Sequence, residues 1–299
     1  MGKEAVTTID KYKGCLVGVA VGDALGQPLE FSPQKPEEPV REMLQNPFDY
    51  WHKGEYTDDT VQTLLLAESF VDCKGYNPDD FVKRLIRWFD KGNAKGLGNT
   101  TRVSLALIDE GVPWQQAGLQ ALTKGAVASN GSLMRTAPIG LFFRNDPEKI
   151  KKVASEVSQI THAAEESVIA CQMASQLVAN LTNGSQKEEA IDSVRKRYRV
   201  AFHNALDSLA DQEKYPGGAY VTFAIAVSCL ENSGTFEEAI VDAVNRGGDT
   251  DTQACVTGAF AGALWGVGQI PERWSRELNP LSASQIAEKA KQLYFASEK

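Results

Sequence analysis

Apolar residues recur along most of this chain at the three-and-four spacing of a helix face. "TVQTLLLAESFV" places Val61, Leu64, Leu65 and Phe70 near one stripe. "NPDDFVKRLIRWFD" sets the turn residues Asn77 and Pro78 ahead of Phe81, Leu85, Ile86 and Phe89. The same period predicts helices over 101–110, 114–128, 147–181, 185–209, 219–232 and 235–245, with a break allowed inside the longest. Val/Ile alternation of strand type is scarce, so the expected fold is all-α without an internal sheet. No linker or change of composition divides the chain, and residues 1–299 are read as a single domain.

Two segments replace apolar bulk with glycine at helical spacing. Gly14, Gly18, Gly22 and Gly26 recur through "GCLVGVAVGDALG", and Gly258, Gly262 and Gly266 through "GAFAGALWG". A spacing of four puts each set on one face, where missing side chains let another backbone approach closely. Interior glycine costs a helix about 0.5–1 kcal/mol relative to alanine, so the repetition points to a tightly packed central helix pair.

The polar joints between helices carry the candidate chemistry. In "GEYTDDTVQ", Thr57, Asp58, Asp59 and Thr60 stand directly before an apolar helix, and "GGDTDTQACV" repeats the device with Asp249, Thr250, Asp251 and Thr252. One hydroxyl or carboxylate suffices to cap a helix start. The surplus acids would repel one another if gathered, unless a cation neutralised them. Aspartate and threonine supply hard oxygen donors suited to Mg²⁺ or Mn²⁺, and two such clusters suffice for two ions about 4 Å apart. A divalent-metal site and two independently capped helices both fit the spacing. "SNGSLMRTAPIG" offers a turn at Asn130 and Gly131, a hydroxyl at Ser132 and, at Arg135, a donor fork that suits either a phosphate or a structural salt bridge. "KGLGNTTR" presents Gly96, Gly98, Asn99 and Thr100 before a helix, where backbone N–H groups can receive phosphate oxygens. His162 has Glu165 and Glu166 three and four residues on, which reads as local pairing. "YPGGAY" reads as a turn that aims Tyr220 inward.

Composition narrows the classes. The formal net charge of −8, with no dense Lys/Arg block, disfavours a nucleic-acid partner. Five cysteines, scattered and never in a CxxC pair, fit a reduced, cytoplasmic protein. The N-terminus is too polar for a signal peptide, and the apolar run from Ala254 to Val267 is too short for a membrane span.

Taken in order, "GCLVGVAVGDALGQPLEF", "YTDDT", "GNTTR", "NGSLMRTAPIG", "NRGGDTDT" and "GAFAGALWG" resemble the ADP-ribosylglycohydrolases, especially the bacterial kind acting on ADP-ribosylated dinitrogenase reductase. The resemblance runs from residue 12 to about residue 268. It implies a compact helical fold with a dinuclear Mg²⁺ or Mn²⁺ centre held by Thr57, Asp58, Asp59, Asp249, Asp251 and Thr252. Glu30 would handle water or a proton beside the metals, with Asp58, Asp59 and Asp251 as further catalytic residues. ADP-ribose would bind against Gly96, Gly98, Asn99, Thr100, Asn130, Gly131 and Met134, with Ser132 and Arg135 near the phosphates. His162 would lie on the ribose or phosphate side, and Tyr220 beside the adenine. The implied activity is hydrolysis of the bond between ADP-ribose and an acceptor, such as arginine on a protein or a small molecule. Serine, a nucleic-acid end, a small guanidine compound, or a silent ADP-ribose binder are the alternatives. One departure stands out: where the dinitrogenase-reductase type carries an aspartate, this chain has Gly96.

Overall fold

The computed structural model describes residues 6–32, 38–47, 50–90 and 95–298. Fifteen α-helices run through them. The first five are α1 (Thr8–Gly26), α2 (Asp58–Cys73), α3 (Pro78–Asp90), α4 (Asn99–Asp109) and α5 (Trp114–Thr123). Then come α6 (Ala137–Phe142), α7 (Pro147–Gln159), α8 (Glu165–Thr182), α9 (Lys187–Arg197) and α10 (Arg199–Asp207). The last are α11 (Ala219–Asn232), α12 (Phe236–Val244), α13 (Thr250–Trp265), α14 (Glu272–Glu277) and α15 (Ala283–Ser297). The fold is all-α: among the described residues the only β-type pairings are isolated bridges, Glu55 with Asn279 and Ser129 with Gly218.

The two glycine-bearing segments form the central pair. α1 and α13 run antiparallel in such close contact that a Cβ at Gly18 would lie 2.3 Å from the Gly258 carbonyl oxygen, and one at Gly14 2.4 Å from that of Gly262. Further along the same seam, Gly22 faces Ala254 and Gly26 faces Thr250. Any side chain at these points would push the backbones apart, which offsets the helix propensity that the glycines give up. The antiparallel course has a functional consequence. It sets the end of α1, and Glu30 just beyond it, against the start of α13 with its acidic residues. The Thr250 hydroxyl pins that junction by donating to the Gly26 carbonyl at 2.8 Å.

The buried apolar side chains from α1 to α15 form one continuous core, with a small satellite of Leu107, Ala117 and Ala121 beneath α4 and α5. The periodicity over 147–181 breaks at 160–164, between α7 and α8, so His162 sits in a joint rather than within a helix. Side chains hold that joint: the Ser158 hydroxyl donates to the His162 carbonyl, and the Ser104 hydroxyl to that of Thr161. The 114–128 segment stops at Thr123, where Gly125 takes a left-handed conformation. The 185–209 segment divides at Tyr198. Among the described residues, no helix is long and apolar enough to cross a membrane.

Candidate metal centre and its cavity

Three joints converge on one cavity of about 410 Å³: the chain after α1, the start of α2 and the start of α13. Glu30, Asp58, Asp59, Asp249, Asp251 and Thr252 all line it. Carboxylate oxygens of Glu30, Asp249 and Asp251 lie within 4.8 Å of one another. Gly247 and Gly248, both left-handed with φ of 77° and 79°, turn the chain into this position.

Asp58, Asp249 and Asp251 are each oriented by a specific neighbour. Asp58 Oδ2 accepts from the Gln62 amide at 2.8 Å, one helical turn on. Asp249 Oδ2 accepts from Asn130 Nδ2 at 3.0 Å, and a Cβ at Gly217 would lie 2.8 Å from the same oxygen. Asp251 Oδ1 accepts from the Thr252 amide at 2.8 Å. Thr57 is the N-cap of α2 and its hydroxyl accepts from the Asp59 amide, with Asp59 Oδ1 3.5 Å away.

Asp23, in the middle of the glycine-rich helix, was not singled out by its pattern. It is fully buried, and its carboxylate accepts from the Thr57 amide, the Thr60 amide and, at 2.6 Å, the Thr60 hydroxyl. One residue of α1 thus caps α2 from the side. The legible signal was a lone charged residue in the apolar, glycine-rich stretch from Cys15 to Gly26.

The acids share one field. Burial, then the charges of Asp249, Asp58 and Asp23, push Glu30 up to about 8. Burial, and next the charge of Asp23, push Asp58 up to about 7, and burial alone is the largest cause holding Asp23 up to about 6. Asp59 and Asp251 lie well above the ordinary range for the same reasons, burial first. Arg135 reaches Asp58 through Gln62, whose Oε1 accepts from the guanidinium at 2.6 Å. Asp59 Oδ2 is buried and makes no hydrogen bond among the described residues. A buried, orphaned carboxylate oxygen in a set of hard oxygen donors with excess negative charge is the arrangement a divalent cation satisfies.

The remaining predicted residues divide into two groups. Gly96, Gly98, Asn99, Thr100, Asn130, Gly131, Met134 and His162 line the cavity. Ser132 and Arg135 do not, and their expected place beside phosphates is corrected by the geometry. The Ser132 hydroxyl is buried against Ser158 and Cys171. Arg135 is fully buried, donating to Gln62, the Val157 carbonyl and the Thr161 hydroxyl. The turn at Asn130 and Gly131 faces the cavity, and the tight coil after it rotates these two side chains into the core. Tyr220 lines a neighbouring cavity of about 860 Å³, which shares Phe31, Val127, Ser129 and Gly217 with the first. His162 pairs with neither Glu165 nor Glu166: its Nδ1 lies 2.8 Å from the Thr161 hydroxyl and its Nε2 3.0 Å from that of Ser129. Burial, aided by the Arg135 charge, pushes it down to about 3, so it stands neutral at the cavity wall. Gly96 has φ of 82°, and a Cβ there would lie 3.0 Å from both Asp58 Oδ1 and Trp51 Cζ2. The loop approaches Asp58 too closely to carry the aspartate of the resembled type without shifting.

A helical frame that turns its joints inward, and gathers carboxylates able to hold a metal at the floor of a polar cavity, defines the class as a hydrolase with an acidic metal-binding cluster. The chain belongs to the ADP-ribosylglycohydrolase family, whose sequence profile matches residues 4–299. It is 32% identical to an ADP-ribosylarginine hydrolase of Serratia proteamaculans over 96% of this chain and 80% of that protein. It is 27% identical to the ADP-ribosyl-[dinitrogen reductase] glycohydrolase of Rhodospirillum rubrum over 90% of each. Among solved structures, a chain of an ADP-ribosylglycohydrolase-related protein complex superposes with a TM-score of 0.81. The two are 35% identical, over 97% of this chain and 99% of that one.

Proposed function

We propose that this protein hydrolyses the glycosidic bond joining ADP-ribose to the guanidino group of arginine on a modified protein, using two divalent cations, Mg²⁺ or Mn²⁺. The observation that carries the reading is the convergence of Glu30, Asp249 and Asp251 within 4.8 Å beside the orphaned Oδ2 of Asp59. The proposed ligands are Thr57, Asp58, Asp59, Asp249, Asp251 and Thr252, with Glu30 beside them. Bound there, divalent cations supply Lewis-acid polarisation and a template for the ribose hydroxyls.

This chain's residues divide the other tasks. Glu30, just beyond the end of α1, lines the cavity and is placed to give or take a proton at its carboxyl. The start of α4, from Asn99, offers N–H groups to phosphate oxygens. His162, neutral and tied to Thr161 and Ser129, contributes a fixed wall rather than a charge. The adjoining cavity with Tyr220 gives the adenosine end an aromatic edge and room to extend. Glu30 and the aspartates that line the cavity make the surroundings of the bond better suited to a cationic acceptor than to a nucleic acid. The five cysteines are all free, in keeping with a cytoplasmic setting.

The test is release of free ADP-ribose from arginine-modified and serine-modified protein, each in Mg²⁺ and in excess chelator. Release from the arginine substrate alone, abolished by the chelator, is expected. Tight ADP-ribose binding without release from either substrate would make the protein a binder and contradict the proposal.

A further inference from the structure

A third cavity, of about 640 Å³, shares Glu30, Phe31 and Gly96 with the metal-centre cavity, and Phe31 also lines the Tyr220 cavity. Its wall is aromatic. Tyr50 and Trp51 meet edge to face, with ring centroids 5.5 Å apart. Trp51 is almost fully buried, whereas Tyr50 is 55% exposed. The indole borders the acids directly, since Trp51 Cζ2 and Asp58 Oδ1 each lie 3.0 Å from the point where a Cβ of Gly96 would sit.

These rings already hold a cation. Lys95 Nζ stands 3.8 Å from the centroid of the Trp51 ring and 4.8 Å from that of Tyr50, with Glu55 Oε1 3.5 Å away. The arrangement has the ring faces and the nearby carboxylate that a planar, delocalised cation prefers. Lys95 is partly exposed and is not among the residues that line the cavity, which leaves the cavity to another cation.

We propose that the Tyr50–Trp51 cavity is the acceptor subsite, where the guanidinium of the substrate's arginine stacks on the rings from the cavity side. The inference rests on the arginine-linkage reading above and deepens it. With ADP-ribose placed across the metal-centre cavity and the Tyr220 cavity, as proposed above, the remaining space next to Glu30 for a group on its terminal ribose is the Tyr50–Trp51 cavity. Discrimination of arginine from serine follows, because a hydroxymethyl acceptor has no charge or plane to offer the rings.

The test measures binding of agmatine, in the presence of ADP-ribose, and kinetics on an arginine-modified peptide, for wild type and four variants. Tyr50→Ala and Trp51→Leu are expected to weaken agmatine binding and raise KM each by roughly tenfold, the scale of a desolvated cation–π contact. The affinity for ADP-ribose alone should stay unchanged. Trp51→Phe, which keeps a ring, should recover most of the loss, and Lys95→Ala should tighten agmatine binding about threefold by removing a like charge from the same rings. Tyr50 is exposed, so its variant reports on the subsite even if Trp51→Leu folds poorly. Unchanged agmatine binding and KM in Tyr50→Ala and Trp51→Leu, or an equal loss of ADP-ribose affinity, would overturn the subsite while leaving the hydrolase reading intact. Ring-dependent agmatine binding in a wild type that releases no ADP-ribose would do the reverse.

Discussion

The starts of α2 and α13 look alike in sequence and are built differently. At α2, the caps come from elsewhere: Thr57 accepts from the Asp59 amide, and Asp23 of α1 takes the Thr57 and Thr60 amides and the Thr60 hydroxyl. Asp58 and Asp59 are thereby released from capping. At α13, Asp249 stands in the N-cap position but makes no side-chain capping bond. It is held instead by Asn130, while Thr250 ties the turn to the Gly26 carbonyl. Both routes leave first-turn carboxylates facing the cavity, where the helix dipoles favour negative charge. An acid at a helix start that does no capping is free for other chemistry, and here two such starts face each other.

The largest expected effect comes from removing a carboxylate from either start. Asp58→Asn and Asp251→Asn should each lower turnover by about a thousandfold or more, together with loss of metal binding, as steady-state assays over a Mg²⁺ range would reveal. Loss on one side only would mean that the two starts do not act as one centre. Next is Asp23→Asn, which removes one acceptor and the charge behind α2. Metal affinity should fall about 10–100-fold, measured by calorimetry, with a lower Tm as well. The α13 start has no such remote cap, so the same experiment separates the two constructions.

A third prediction uses pH in metal-free protein. Glu30, at about 8, and Asp58, at about 7, keep protons in the folded state that unfolded carboxylates release near pH 4. The folded state therefore binds more protons from these two groups between about pH 4 and about pH 8, and their stability contribution should fall as pH rises through that window. His162, held down at about 3, has the opposite sign: its contribution is present above 6.5 and is lost below that value. Thermal unfolding in excess chelator should show a lower Tm at the alkaline end, and saturating Mg²⁺ should flatten the slope. A Tm that rose with pH in chelator would contradict the account. The smallest effect belongs to Thr250→Val. It deletes the bond to the Gly26 carbonyl and should cost about 1 kcal/mol in a denaturant titration while leaving metal affinity intact.

What the sequence disclosed followed from local rules. Apolar period and helical glycine spacing are local, and they led to α2, α3, α11 and the α1–α13 pair. The doubled acids were visible because they exceed what a cap requires. The direction of Arg135 and Ser132 was not visible, because a turn at Asn130 and Gly131 followed by a tight coil decides which side chains face the cavity. Asp23 and Gln62 were missed because their roles lie in contacts with another element or with an already chosen acid. The joint at His162 was hidden by apolar residues that continue the helical period through it. α14 and α15 went unread, although Ser282 and Gln285 form a capping box before α15.

The central claim is that both helix starts hold one shared metal centre. Equilibrium binding of Mn²⁺ to metal-free wild type, Asp58→Asn and Asp251→Asn tests it most directly. The account predicts stoichiometric binding by wild type and its loss in both variants, with circular dichroism showing the helical fold retained. Wild-type stoichiometry and affinity in a folded Asp251→Asn protein would contradict it.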